Sequence, residues 1–251
     1  MIDVTRACSL MFHDIVSDGN PDSSGFPGPG AALYKLSMGE FRQHLTSIAT
    51  IISKPTSVYE PVRADCPCFL TFDDGGVSFG DIATILDERG WVGHFFFTTD
   101  LIGQPHFLPS RDIRDLADRG HVIGSHSCSH PDRMNRLDFA TLVHEWKESI
   151  AILSDIAGKR VDAASVSGGY YSKAVAQTAA LCGIRWLFTS EPVTAVNRVD
   201  ECLVLGRYAV RRGVTASELA RLVSGERTLR YRAWLEWKKE TVRRILREIS
   251  A

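Results

Sequence analysis

A chain of 251 residues with 44% hydrophobic content is long enough to bury a large core as one domain. Its formal net charge of −1 provides no global attraction to nucleic acid or to an anionic membrane, so no nucleic-acid partner is expected. No run approaches the roughly 20 apolar residues of a transmembrane helix. Met1 to Arg6 lacks the basic start and apolar stretch of a secretory leader, so the direct reading of the location is cytoplasmic. The six cysteines, Cys8, Cys66, Cys68, Cys128, Cys182 and Cys202, are dispersed, and most sit in apolar or strand-like runs. Cys66 and Cys68 are too close for an easy disulfide and no zinc-knuckle spacing occurs, so buried thiols are expected.

In chain order, Ala7 to Phe12 reads as a strand with His13 and Asp14 at its carboxyl end. Ser17 to Gly30 is rich in Gly, Pro, Ser and Asp and reads as a loop, either a lid over a site or a plain surface loop. Ser37-Met38-Gly39-Glu40 is a capping-box pattern that opens a helix through about Ile52, with Phe41, Leu45 and Ile48 on its core side. Lys54 to Pro67 leads into the apolar strand Cys68 to Phe72, which ends in Asp73-Asp74-Gly75-Gly76. Neighbouring strand residues point to opposite faces, so adjacent carboxylates share a task only where the strand has just ended. The double glycine ends it. A helix cap accounts for one Asp there but not for two. The pair therefore sits at a strand's carboxyl end, where α/β folds place their chemistry.

Ile82, Ile85 and Leu86 mark a helix stopping at Arg89-Gly90, and Gly93 to Thr98 is a strand apolar on both faces, within which His94 reads as structural. Ser110 is expected to cap a helix over Arg111 to Arg119. Gly120 to Pro131 is a short strand that ends in a histidine pair. A single helical turn would set His126 and His130 on one face, a spacing that suits two ligands of one divalent ion. With Asp74 they would supply three ligands and leave a position for water.

Asp138 to Ile156 is a longer helix with Leu142, Trp146, Ile150 and Leu153 on one side. Val161 to Val166 is a strand that delivers Gly168-Gly169-Tyr170-Tyr171, either a plain turn or a place where glycines let the backbone approach a ligand and Tyr170 could stack on it or donate a hydrogen bond. A helix over Lys173 to Cys182, a strand over Ile184 to Thr189 and a last strand over Leu203 to Val210 follow. Thr215 to Glu218 is a second capping box. Arg227 to Ile249 is one amphipathic helix with Tyr231, Leu235, Val242, Ile245 and Ile249 on one stripe and a basic remainder that includes Arg243, Arg244 and Arg247. It either docks on an anionic lipid surface or partner, or packs on its own domain, which is the commoner fate of such a helix. The division is thus 1–225 for the body and 226–251 for the C-terminal helix. Alternation of strands and helices supports an α/β barrel or a doubly wound sheet.

TFDDG at 71–75 and HSCSH at 126–130 resemble the first two signature motifs of the polysaccharide deacetylase (NodB-homology, carbohydrate esterase family 4) family, and the similar organisation runs from about Ser9 to about Arg212. The resemblance implies an irregular (β/α) barrel of the polysaccharide-deacetylase type that removes N- or O-acetyl groups from sugars with a divalent metal. It implies Asp73 as general base, Asp74, His126 and His130 as metal ligands, and the backbone N–H of Tyr170 as an oxyanion donor. Zinc is the metal that best suits two imidazoles and one carboxylate. The expected substrate is an acylated carbohydrate. The alternatives are an amidohydrolase on a small non-sugar amide and a catalytically weak sugar-binding relative.

Two later motifs depart from the family. Ser167 and Gly169 stand where the family's Arg-x-Pro-aromatic segment has Arg and Pro, and Leu205-Gly206-Arg207 places Arg where a Leu-x-His segment supplies the acid. The base-orienting Arg and the acid His are both missing. A barrel sets its first strand beside its last, so Arg207 is the nearest candidate to hold Asp73 ionised and His13 the nearest to act as the acid.

Overall fold

The structure, a computed structural model, describes residues 4–16, 20–61 and 64–249, with 243–249 described as backbone alone. The side chains of the stripe residues Ile245 and Ile249 and of the basic Arg243, Arg244 and Arg247 lie outside what is described, as do residues 17–19 of the expected loop. The elements in order are β1 (Cys8–Phe12), β2 (Ile15–Val16), α1 (Pro29–Ala32), β3 (Leu36–Ser37), α2 (Met38–Ala49), β4 (Cys68–Phe72), α3 (Phe79–Asp87), β5 (His94–Phe97), α4 (Ser110–Asp118), β6 (Val122–Ser125), α5 (Phe139–Ala157), β7 (Ala163–Ser165), α6 (Lys173–Leu181), β8 (Trp186–Phe188), β9 (Val196–Val199), β10 (Cys202–Leu205), β11 (Arg207–Ala209), α7 (Ala216–Val223) and α8 (Arg227–Ile249).

One nine-stranded sheet runs in the order β11-β1-β4-β5-β6-β7-β8-β10-β9. Every pairing is parallel except β10 with β9. The stretch 202–209 serves both ends of this order: β10 pairs with β8, and past Gly206 the chain bends so that β11 pairs with β1. A Cβ at Gly206 would run into the carbonyl oxygens of Glu191 and Val193, so the bend needs glycine. The expected single strand over Leu203 to Val210 is therefore two, broken at that residue. An antiparallel bridge between Arg6 and Ala195, with the Ala7 N–H donating to the Thr194 carbonyl at 2.8 Å, adds contact on the same side. The fold is an irregular α/β barrel.

Strand alternation sorts the core. Phe69, Phe96 and Phe188 meet on one face of the sheet, while Leu70, Phe72 and Phe95 face the helices, where Phe72 lies 5.5 Å from Phe12 and 4.9 Å from Phe95. His94 engages both ring nitrogens with backbone, Nδ1 with the Leu70 carbonyl at 2.8 Å and Nε2 with the Val58 N–H at 3.1 Å.

Helix starts follow their capping residues. Both expected capping boxes are present, Ser37 with Glu40 and Thr215 with Glu218, and Asp138 accepts from the Thr141 N–H at 2.9 Å. Ser110 does not cap α4: it is the first helical residue, and Pro109 precedes it without a side-chain bond. The stretch read as loop holds a 3-10 turn over Pro21–Ser23 and the start of α1. β9 was not foreseen, because Val196-Asn197-Arg198-Val199 is short and mostly exposed. Among the described residues no helix is long and apolar enough to cross a membrane, and all six cysteines are free.

Candidate active site

Both carboxylates emerge where β4 ends. Asp73 keeps the strand's reach, its N–H donating to the Phe12 carbonyl at 3.1 Å, and Asp74 turns the chain at φ 86°. Gly76 lets the next turn close: a Cβ there would strike the Asp14 carboxylate and the Ser24 hydroxyl. Asp14 itself accepts from Ser24 and Ser78 at 2.6 and 2.7 Å, and burial raises its carboxyl above the usual range despite those bonds.

Arg207 is wholly buried and forks onto Asp73, Nη1 to Oδ1 at 2.7 Å and Nη2 to Oδ2 at 2.8 Å. Two further donors are used as well, Nε on the Thr189 carbonyl at 2.9 Å and Nη1 on the Thr71 hydroxyl at 3.2 Å. Burial alone would raise the Asp73 carboxyl, but the charges of Arg207 and His126 outweigh it and hold the group below the ordinary carboxylate range.

Asp74, His126 and His130 converge beside this pair. The Asp74 Oδ1 lies 3.3 Å from Nε2 of His126 and 3.6 Å from Nε2 of His130. Among the described residues these three are the group whose ligand atoms all lie within 4.8 Å of one another. Burial again pushes Asp74 upward, but the hydrogen bond from His126 and the nearby imidazoles take it well below its usual value. Burial lowers His126, yet the charges of Asp73 and Asp74 bring it above the ordinary range; His130 is lowered by burial and by the neighbouring His126.

No helical turn brings the histidines together. The segment 126–130 is irregular, with Ser127 at φ 65° and His130 at φ 55°. Glu145 of α5 holds it in place, one carboxylate oxygen accepting from the N–H groups of Cys128 and Ser129 at 2.8 and 3.0 Å, the other from the Ser129 hydroxyl at 2.6 Å. Phe26 packs against the His130 ring at 4.7 Å, and its loop is fixed by buried Lys35, whose ammonium donates to the carbonyls of Pro21, Ser24 and Phe26.

The donor set fits a divalent ion. Two ligands about 2.0–2.2 Å from a tetrahedral centre lie ~3.4 Å apart, close to the two separations between Asp74 and the histidines, 3.3 and 3.6 Å. Ser165 at the end of β7 sets the tautomer: its hydroxyl donates to Asp73 Oδ1 at 3.1 Å and so accepts from Nδ1–H of His126 at 2.6 Å. With Nδ1–H so engaged, Nε2 is the nitrogen that faces Asp74, and loss of its proton to an incoming ion would free the lone pair that metal-ligating histidines require.

The remaining expected residues fall as follows. His13 lines the cavity that holds these groups, a space of about 440 Å³; its ring lies 4.6 Å from that of Tyr34, and its Nδ1 is buried without a hydrogen-bond partner. Gly168 and Gly169 reach the cavity wall, but Tyr170 does not line it; the Tyr170 ring lies under the Arg133 guanidinium at 5.8 Å. Ser165, Glu145, Phe26 and Lys35 went unread in the sequence. A Ser closing a small-residue strand and a Glu inside an amphipathic helix carry no local signal of their own.

The family model for polysaccharide deacetylases matches residues 63–187, which contain Asp73, Asp74, His126 and His130 but neither His13 nor Arg207. The Bacillus subtilis protein YxkH, named for polysaccharide deacetylases, is 26% identical over 217 residues, 83% of this chain and 72% of its own. A gellan lyase from a Bacillus species is 36% identical over 92 residues, 36% of this chain, and the match spans only 4% of that much longer protein. Among solved structures, a polysaccharide deacetylase from Bacillus cereus superposes with a TM-score of 0.73 at 19% identity, covering 87% of this chain and 69% of its own. The deacetylase PplD of Streptococcus pyogenes superposes at 0.70 with 18% identity, covering 86% and 97%. At such identities these structures speak for the fold. Fold, family match and the motifs at 71–75 and 126–130 agree: the chain belongs to the polysaccharide deacetylase family, as a divergent member.

Proposed function

We propose that the protein is a metal-dependent hydrolase that removes an acyl group, acetyl foremost, from an N- or O-acylated sugar. One observation carries this reading: a carboxylate held ionised by a buried, bidentate Arg207 stands directly beside a three-ligand donor set. A purely structural metal site has no use for that spare, charged carboxylate. Family membership supports the coarser activity, the deacetylation of sugars by hydrolysis.

Asp74, His126 and His130 would hold the ion, and zinc suits their mixture of one oxygen and two nitrogens. When bound, such an ion polarises an acyl carbonyl and acidifies water. Asp73 is the base that takes the proton from the attacking water, and Arg207 fixes its orientation and charge. Ser165 ties base and ligand together, so that Asp73 and His126 cannot move independently. His13 lines the same cavity with an unpartnered ring nitrogen, which supports it as the group that would return a proton to the departing nitrogen or oxygen. These two assignments replace the family's usual Arg and His with residues from the first and last strands.

Metal analysis of the purified chain tests the donor set. We expect close to one equivalent of divalent ion in the wild type and a sharp loss in His130→Ala. Retention of the wild-type content by that variant would remove His130 from the site.

A further inference from the structure

The family match ends at residue 187, but the cavity wall does not. Part of it comes from α8, where Ala233, Trp237 and Glu240 stand at helical spacing and face the cavity together. Glu240 is pinned by Arg211, whose Nη1 and Nη2 donate to its two carboxylate oxygens at 2.7 and 3.0 Å. The same guanidinium donates to the Tyr34 hydroxyl at 2.8 Å and lies 4.9 Å over the Tyr34 ring. Tyr34 in turn packs on His13. One continuous set of contacts thus ties α8 to the end of β1, beside the carboxylates.

Trp237 is half-buried on this wall, with the Lys238 ammonium 5.3 Å over its ring. Ala233, one turn earlier, packs on the main core and anchors the helix. An indole on the same wall as a phenol, a guanidinium and a carboxylate, the last three fixed by one another, offers what a pyranose needs: a flat apolar surface for the C–H face of the ring and rigid polar groups for its hydroxyls. The cavity of about 440 Å³ lies toward the small end of ligand sites, which run from about 300 to 1,000 Å³. It has room for a few sugar rings at most.

We infer that α8 carries the binding subsite for the sugar ring next to the acylated one, with Trp237 as its stacking platform and Tyr34, Arg211 and Glu240 as its hydroxyl partners, so that the substrate is a short acylated oligosaccharide or a chain end. This rests on the acyl-sugar reading above. Nothing in the family's first two motifs carries it, because α8 lies outside the matched segment.

The test is calorimetric binding of N-acetylglucosamine and its β-1,4-linked disaccharide to the zinc-loaded full chain, as wild type, Trp237→Ala and Trp237→Phe. The wild type should bind the disaccharide about five- to tenfold more tightly, the margin one aromatic face contributes. Trp237→Ala should lose that margin and leave the monosaccharide within about twofold, while Trp237→Phe keeps most of it. Equal affinity of the wild type for both sugars, or an equal drop for both in Trp237→Ala, overturns the subsite. Acetate release by the wild type, measured alongside, separates the two readings. Trp237-dependent binding without acetate sinks deacylation and leaves the subsite standing. Acetate release without Trp237 dependence does the reverse.

Discussion

At Asp73 two demands compete. The proposed base must be ionised, yet Asp73 is fully enclosed, and enclosure by itself would protonate it. Arg207 resolves the conflict with a fork of two short bonds, and its own burial is offset by Thr189 and Thr71. The two Asp residues were legible because a cap at a strand end uses one carboxylate, and an adjacent second one is left over for chemistry. Arg207 was legible only through the family motif, as an Arg standing where a Leu-x-His segment has its acid His. Its partner could be named from barrel geometry, not from spacing. His13 presents the complementary case, a buried ring nitrogen with no partner among the described residues. If it donates the departing proton, His13→Ala should slow release of a poor leaving group, such as a sugar amine, by about 10²–10⁴-fold and that of an activated aryl acetate far less. Equal slowing of both, read from paired kcat/KM values, would show that His13 is not the acid.

Among the elements, the segment between β6 and α5 shows why pattern reading stopped short. Spacing of four predicts a helical turn, but Ser127 takes a left-handed backbone angle that no glycine announces, and the loop owes its shape to Glu145 on the following helix. Such support is invisible locally, because Glu145 sits at an ordinary helical position and acts across the gap to Cys128 and Ser129. Glu145→Ala should leave the donors in place but unsupported and weaken metal affinity by about 10–100-fold, as loss of an outer hydrogen-bond partner does elsewhere. Unchanged affinity in a competition titration with a chelator would mean that the loop holds itself. The same contrast holds at β10 and β11: apolar composition predicted one strand, and tertiary crowding at Gly206 made two.

For the whole molecule, strand and helix alternation predicted the α/β class, while the choice of barrel over open sheet came from the family motifs, since closure depends on pairings between distant residues such as Ser9 with Arg207. The packed sheet also fixes how the fold answers acid. Burial pushes His94 down to about 4, against 6.5 in the unfolded chain. Above pH 6.5 the ring is neutral in both states and its stability is fully present; as pH falls toward 4 the unfolded chain takes a proton the folded one refuses. That loss amounts to about 2 kcal/mol between pH 7 and 4.5. His94→Gln, which can still donate to Leu70 and accept from Val58, should therefore lose about 2 kcal/mol less than the wild type over that interval in urea denaturation. Identical losses would show that His94 does not govern the acid limb. The central claim is that Asp73 acts as the base beside a bound ion, and its most direct test is acetate release from N- and O-acetyl sugars by the zinc-loaded chain, compared with Asp73→Asn. The account predicts release by the wild type and a loss of about 10²–10⁴-fold in the variant, with metal content unchanged. No acetate from any acetylated sugar, or a loss in the variant smaller than about threefold, would contradict it.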